Sequence, residues 1–114
     1  MDDRLKQAID FSNYNITLQN QKQVLKDRYQ DELVFYTQGG KFTATKDLVN
    51  FVNFLVQSKQ TSAVLTDDNG TPFEIKNLEK FLTEVTNVYF SASNKYHTEY
   101  SQLIKNRSVS GLLD

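Results

Sequence analysis

From Asp2 to about Tyr36 the chain contains neither Gly nor Pro, and Leu, Lys, Gln and Arg are prominent. Pro breaks a helix by its missing N–H and Gly by its backbone entropy, whereas unbranched side chains lose little rotamer freedom there. The stretch reads as one long helix. Its apolar positions include Phe11, Tyr14, Leu18 and Leu25, a seam that continues through Gln21 and toward Arg28. So narrow a stripe leaves much of the helix surface solvated.

Gln38-Gly39-Gly40 should stop this helix, because paired glycines favour non-helical backbone. A short strand is expected over Lys41-Phe42-Thr43-Ala44-Thr45, where apolar and polar side chains alternate, and Thr45 can cap the helix that follows. That second helix, about Lys46 to Ser58, carries Leu48, Val49, Phe51, Val52, Phe54, Leu55 and Val56. Apolar groups cover most of its circumference, which predicts a deeply buried central element or a surface shared with another subunit.

Between Ala63 and Lys76 two β-type runs bracket Asp67-Asp68-Asn69-Gly70. Asn-Gly accepts the positive φ angles of a type I′ turn, so a hairpin is expected. With Asn69 and Gly70 as the loop, Thr66 faces Phe73 and Val64 faces Ile75; a four-residue loop shifts that register. Pro72 has no N–H to donate and belongs at an edge or outside the ladder.

Asn77 is placed to cap a third helix from about Leu78 to Asn106. Leu78, Leu82, Val85, Tyr89, Ala92, Tyr96 and Leu103 follow four- and three-residue steps, with polar Glu99 at the missing place. Such a helix extends about 40 Å, beyond what a hairpin and a short helix can cover. The N-terminal helix is its natural partner. In the tail from Ser108 to Asp114, Gly111 is the expected break, and Leu112 and Leu113 are free to dock.

These elements give an α+β fold in the order α-β-α-β-β-α. Two long antiparallel helices and a short central helix pack with a small antiparallel sheet containing the hairpin. A length of 114 residues suits one domain spanning 1–114 with a short tail at 108–114. The hydrophobic fraction is only 39%, but eight Phe and six Tyr concentrate it in side chains that each bury a large area.

With 13 basic and 14 acidic residues the formal charge is -1, so no long-range field draws the molecule to nucleic acid or an anionic membrane. The acidic, polar amino terminus and the lack of a long apolar run suggest a cytoplasmic protein with no membrane association. Asn15 and Asn106 sit in Asn-x-Ser/Thr triplets, which are chance matches outside a secretory route. The absence of Cys removes disulfides, thiolate nucleophiles and cysteine metal sites. His97 is the only histidine, and one imidazole beside Glu99 makes neither a catalytic constellation nor a metal site. The Asp67–Gly70 cluster lacks the ligand spacing of an EF-hand, and Gly39-Gly40 lacks the rest of a phosphate loop.

No catalytic, cofactor or metal site is therefore expected. A protein partner or self-association through helix packing is the leading expectation, with Tyr89, Tyr96, Tyr100 and Leu103 on the third-helix seam as interaction candidates. Nucleic acid is the alternative, resting on Lys22, Lys26 and Arg28 and on Lys95, Lys105 and Arg107, with tyrosines nearby to stack bases.

Several segments carry a resemblance that covers nearly the whole chain. They are Gly39-Gly40-Lys41-Phe42 leading into Leu48-Val49-Asn50-Phe51-Val52, and Asp68-Asn69-Gly70-Thr71-Pro72 leading into Asn77-Leu78-Glu79-Lys80-Phe81. With Tyr89-Phe90 and Lys105-Asn106-Arg107-Ser108-Val109, they resemble small proteins of contractile-tailed marine cyanophages, a family with no assigned activity. The resemblance implies a viral context, a host-cytoplasmic location, and a role in virion assembly or host takeover.

Overall fold

The computed structural model describes the backbone from residue 2 to residue 113 and the side chains through Arg107. Its elements are α1 (Asp3–Glu32), β1 (Val34–Thr37), β2 (Gly40–Thr43), α2 (Lys46–Gln57), β3 (Ala63–Thr66), β4 (Pro72–Ile75) and α3 (Leu78–Leu113). The α+β class holds, but the order is α-β-β-α-β-β-α. By contact density the chain falls into two compact units, one made of Met1–Arg28 and Tyr96–Asp114, the other of Tyr29–Lys95.

In the second unit, α1 ends four residues earlier than the lack of breakers suggests. Leu33 N–H donates to Tyr29 O, and the next four residues leave the helix as β1. Val34-Phe35-Tyr36-Thr37 is β-branched or aromatic throughout, and such side chains fit a pleated surface better than a helix. β1 pairs antiparallel with β2, with Phe35 opposite Phe42 and Thr37 opposite Gly40. Gln38 and Gly39 form the two-residue turn, both at positive φ (52° and 83°), as a type I′ hairpin requires. The glycine pair thus belongs to a hairpin, Gly39 in its turn and Gly40 at the start of β2, and is not a helix stop. Gly40 serves a different end, since a Cβ there would meet the Phe42 and Phe73 rings at 2.9 and 3.0 Å.

β3 and β4 form a separate two-stranded sheet, so the single small sheet expected from sequence is two hairpins. Leu65 faces Phe73 and Ala63 faces Ile75, one residue away from the two-residue-loop register. Leu65 and Ile75 are consequently buried, whereas Val64 is exposed. Asp67 explains the shift. Its carboxylate accepts the Asn69 and Thr71 N–H groups at 3.0 and 2.9 Å, and its own N–H donates to Thr71 O, closing a loop from residue 67 to residue 71. Pro72 stands at the start of β4, opposite Thr66, in a sheet whose strands are both edges.

The same loop joins the two hairpins. Lys41 N–H donates to Asp67 Oδ2 at 3.1 Å, Asp68 N–H donates to Lys41 O at 2.8 Å, and Thr43 Oγ1 donates to Asp68 Oδ2. Asp67 is the buried charged residue among those described, and the Lys41 N–H, followed by that of Thr71, holds its carboxyl below the ordinary value of 3.8; desolvation opposes this, and the Asn69 N–H adds to it. A carboxyl with its folded pKa depressed stabilises the fold above the unfolded value and loses that contribution as pH falls through the folded value. Thermal midpoints measured from pH 6 downward should therefore drop more steeply below about pH 4 for the wild type than for Asp67→Asn, with the variant lower at neutral pH. Parallel curves would show that the loop does not depend on the carboxylate charge.

Thr45 caps α2 as expected, its side chain accepting the Leu48 N–H at 3.1 Å, and Asn77 Oδ1 likewise accepts the Lys80 N–H at 3.0 Å at the start of α3. Of the two expectations from its composition, a deeply buried central element or a surface shared with another subunit, α2 does not meet the first. Val52 is its only fully buried side chain; Leu48, Val49, Leu55 and Val56 pack partly, and Phe51 and Phe54 stand exposed. Only one stripe of the helix is therefore covered. The core gathers Phe35, Phe42, Val52, Leu65, Ile75, Leu78, Phe81 and Val85. At its centre the Phe42 ring lies 5.3 Å from Phe81, edge to face, and 5.9 Å from Phe35.

α3 continues through Gly111 to Leu113, so the expected break is not there; propensity costs at a lone Gly are about 1 kcal/mol and do not end a helix by themselves. The docking of Leu112 and Leu113 lies outside the described side chains. Along α3 the seam is as the sequence indicates: Leu78, Val85 and Ala92 are buried, and Leu82, Tyr89, Tyr96, Glu99 and Leu103 are half-buried.

Candidate interaction surface

The first unit is a pair of helical segments, the bulk of α1 against the end of α3. They run antiparallel, since Tyr14 Oη donates to Arg107 O at 3.2 Å while Arg28 pairs with Glu99 at 2.7 Å. Tyr14, Leu18, Lys22 and Leu25 form the half-buried face of α1 in this unit. Phe11, expected in the seam, is 67% exposed. Gln21 and Arg28 are exposed beside that seam, and both line a groove described below.

Two cations lie on aromatic rings across this seam. The Lys22 ammonium is 5.6 Å from the centre of the Tyr100 ring, and the Arg107 guanidinium 4.7 Å from that of Tyr14. The Arg107 Nε and Nη2 atoms are buried and meet no hydrogen-bond acceptor among the described residues. Tyr96 and Tyr100 pack edge to face at 6.3 Å.

The interaction candidates therefore separate. Tyr96, Tyr100 and Leu103 belong to the two-helix unit, where the tyrosines are engaged with each other and with Lys22. Tyr89 lies in the hairpin unit, packed partly against the core and edge to face with Phe90 at 5.7 Å. His97 is exposed on α3.

Leu103 leads to a groove of 480 Å³ between α1 and α3 in the two-helix unit. Val24, Leu25 and Leu103 supply its apolar lining; Asn20, Gln102 and Asn106 are among the amides beside them. The Arg28–Glu99 pair also lines it. Its chemistry is that of a helix-packing surface, in which apolar side chains give area and amides fix register.

The groove adjoins a surface that the sequence reading missed. α1 has no buried residue over its 30 positions, and Leu5, Ile9, Phe11, Ile16 and Val24 are all exposed on it. Leu5, Ile9 and Ile16 fall within about 40° of one another around the helix, on the side away from Tyr14, Leu18 and Leu25. Helical spacing of Ile9, Ile16 and Val24 was the available signal, obscured by the polar residues between them.

Among the described residues no group of three or more His, Cys, Asp or Glu side chains could hold a metal ion, and no helix is long and apolar enough to cross a membrane. Comparison with protein-family models, with curated proteins and with solved structures finds no match for this chain.

Proposed function

We propose that this protein is a non-enzymatic interaction module that works by helix packing, in an assembly or accessory role. The observation that carries the reading is α1, a 30-residue helix with five large exposed apolar side chains and none buried. A helix of this kind draws its stability from tertiary cover more than from propensity, so its open face favours a partner. The cyanophage resemblance directs the reading toward virion assembly in the host cytoplasm.

Nucleic acid gains less support. Of the six basic residues that suggested it, Arg28 and Lys95 are paired with Glu99 and Glu32, and Lys22 and Arg107 lie on tyrosine rings. Cations already held by carboxylates and rings contribute less to counterion release.

A photo-crosslinking residue placed at Val24 or Leu103 tests the module reading in cells that make the protein naturally. Discrete adducts are expected from both positions and not from exposed Lys59 in the hairpin unit. Equal, diffuse labelling at all three would overturn it.

A further inference from the structure

We propose that the partner of the open α1 face is α1 of a second copy, packed antiparallel about a two-fold axis beside Ile16. This rests on the module reading and deepens it by naming the occupant.

The face reads as a palindrome. At steps of three and four residues it carries Lys6, Ile9, Asn13, Ile16, Asn20, Val24 and Asp27, all exposed. A two-fold axis between Ile16 and Thr17 sets Ile9 beside Val24 of the second copy and Asn13 beside its Asn20. At the ends Lys6 meets Asp27. At these paired positions aliphatic meets aliphatic, amide meets amide and cation meets carboxylate, each twice, while Ile16 falls beside Thr17 at the axis and Leu5 beside Arg28 at the edge of the face. An isologous contact demands that self-complementarity, because every patch must fit its own rotated image. A parallel pairing would set Asp27 against Asp27 and Lys6 against Lys6, which like-charge repulsion disfavours.

Charge distribution favours the same arrangement. From Phe11 to Gln21 the chain carries no charged residue, so the centre of this face can approach its own copy without burying an unpaired charge. Amides donate and accept at once, and a pair of them near the centre of a helical interface fixes its register. From Lys6 to Asp27 the helix runs about 33 Å, and a strip about 10 Å wide along it buries on the order of 330 Å² per copy, below the ~800 Å² per partner of a stable complex and in keeping with a weak dimer.

Three aliphatic side chains per copy make a modest interface, so sedimentation should show a monomer–dimer equilibrium over a series from about 1 to about 500 μM. Ile16→Asp, a change at an exposed position that contacts itself across the axis, should weaken the dimer by roughly tenfold or more. Lys6→Glu and Asp27→Lys should each weaken it several-fold, and the double variant Lys6→Glu/Asp27→Lys should recover wild-type association. A monomer throughout the series, or a dimer indifferent to Ile16→Asp and to both charge reversals, would overturn the proposal. In that case discrete crosslinks from Val24 to a different protein would leave the module reading standing, and diffuse labelling would remove both.

Discussion

Phe42→Ala is expected to cost about 3 to 5 kcal/mol, a large share of the ~5 to 15 kcal/mol that separates a small folded domain from its unfolded chain. The Phe42 side chain is 2% exposed and packs on the rings of both Phe35 and Phe81, so its removal leaves a void between them. The hairpins offer little means of closing it. β2 is held on one edge by β1 and through Lys41 and Thr43 by the Asp67–Asp68 loop, which fixes the backbone on either side of the vacated ring. Gly40 approaches the same ring so closely that collapse would have to move Phe73 as well. Denaturant unfolding followed by circular dichroism should show the loss as a lower midpoint with the slope kept. A loss below about 1 kcal/mol would mean that the three-phenylalanine cluster is not the centre of the core.

Much of this architecture is legible in the residues. Thr45 and Asn77 announce their helices because a side-chain oxygen ahead of an amphipathic run has one favourable use, accepting a free N–H of the first turn. The α3 seam is legible because steps of three and four persist over seven turns, and even Glu99 at the polar gap acquires a partner in Arg28. β1 was hidden by the breaker rule: no Gly or Pro separates it from α1, and only the run Val34-Phe35-Tyr36-Thr37 distinguishes it. The register of β3 and β4 could not be read, since it turns on where the Asp67 carboxylate points.

The candidate surface was legible only in part. Leu103 emerges from the heptad and does line the groove, whereas the tyrosines chosen with it are largely engaged inside their own units. The opposite face of α1 escaped notice because Asn13 and Asn20 interrupt its aliphatic positions. Hydropathy treats an amide as an interruption. A symmetric interface can use it as a register mark, which is a property of two chains and not of one.

On the proposed reading α1 is covered on one face within the chain and requires cover on the other. Backbone amide exchange along α1, compared at two protein concentrations, measures this directly. At low concentration the α1 amides between Leu5 and Asp27 should exchange much faster than those of Phe35, Phe42 and Ile75, because no α1 side chain is buried while those three residues are. Raising the total concentration to about 100 times the dissociation constant leaves roughly 7% of the chain monomeric and should slow exchange in α1 by up to about 15-fold, through mass action on the associated state, and leave the hairpin amides unchanged. Protection of α1 equal to that of the hairpins and independent of concentration would contradict the account, since the helix would then be fully supported within a single chain.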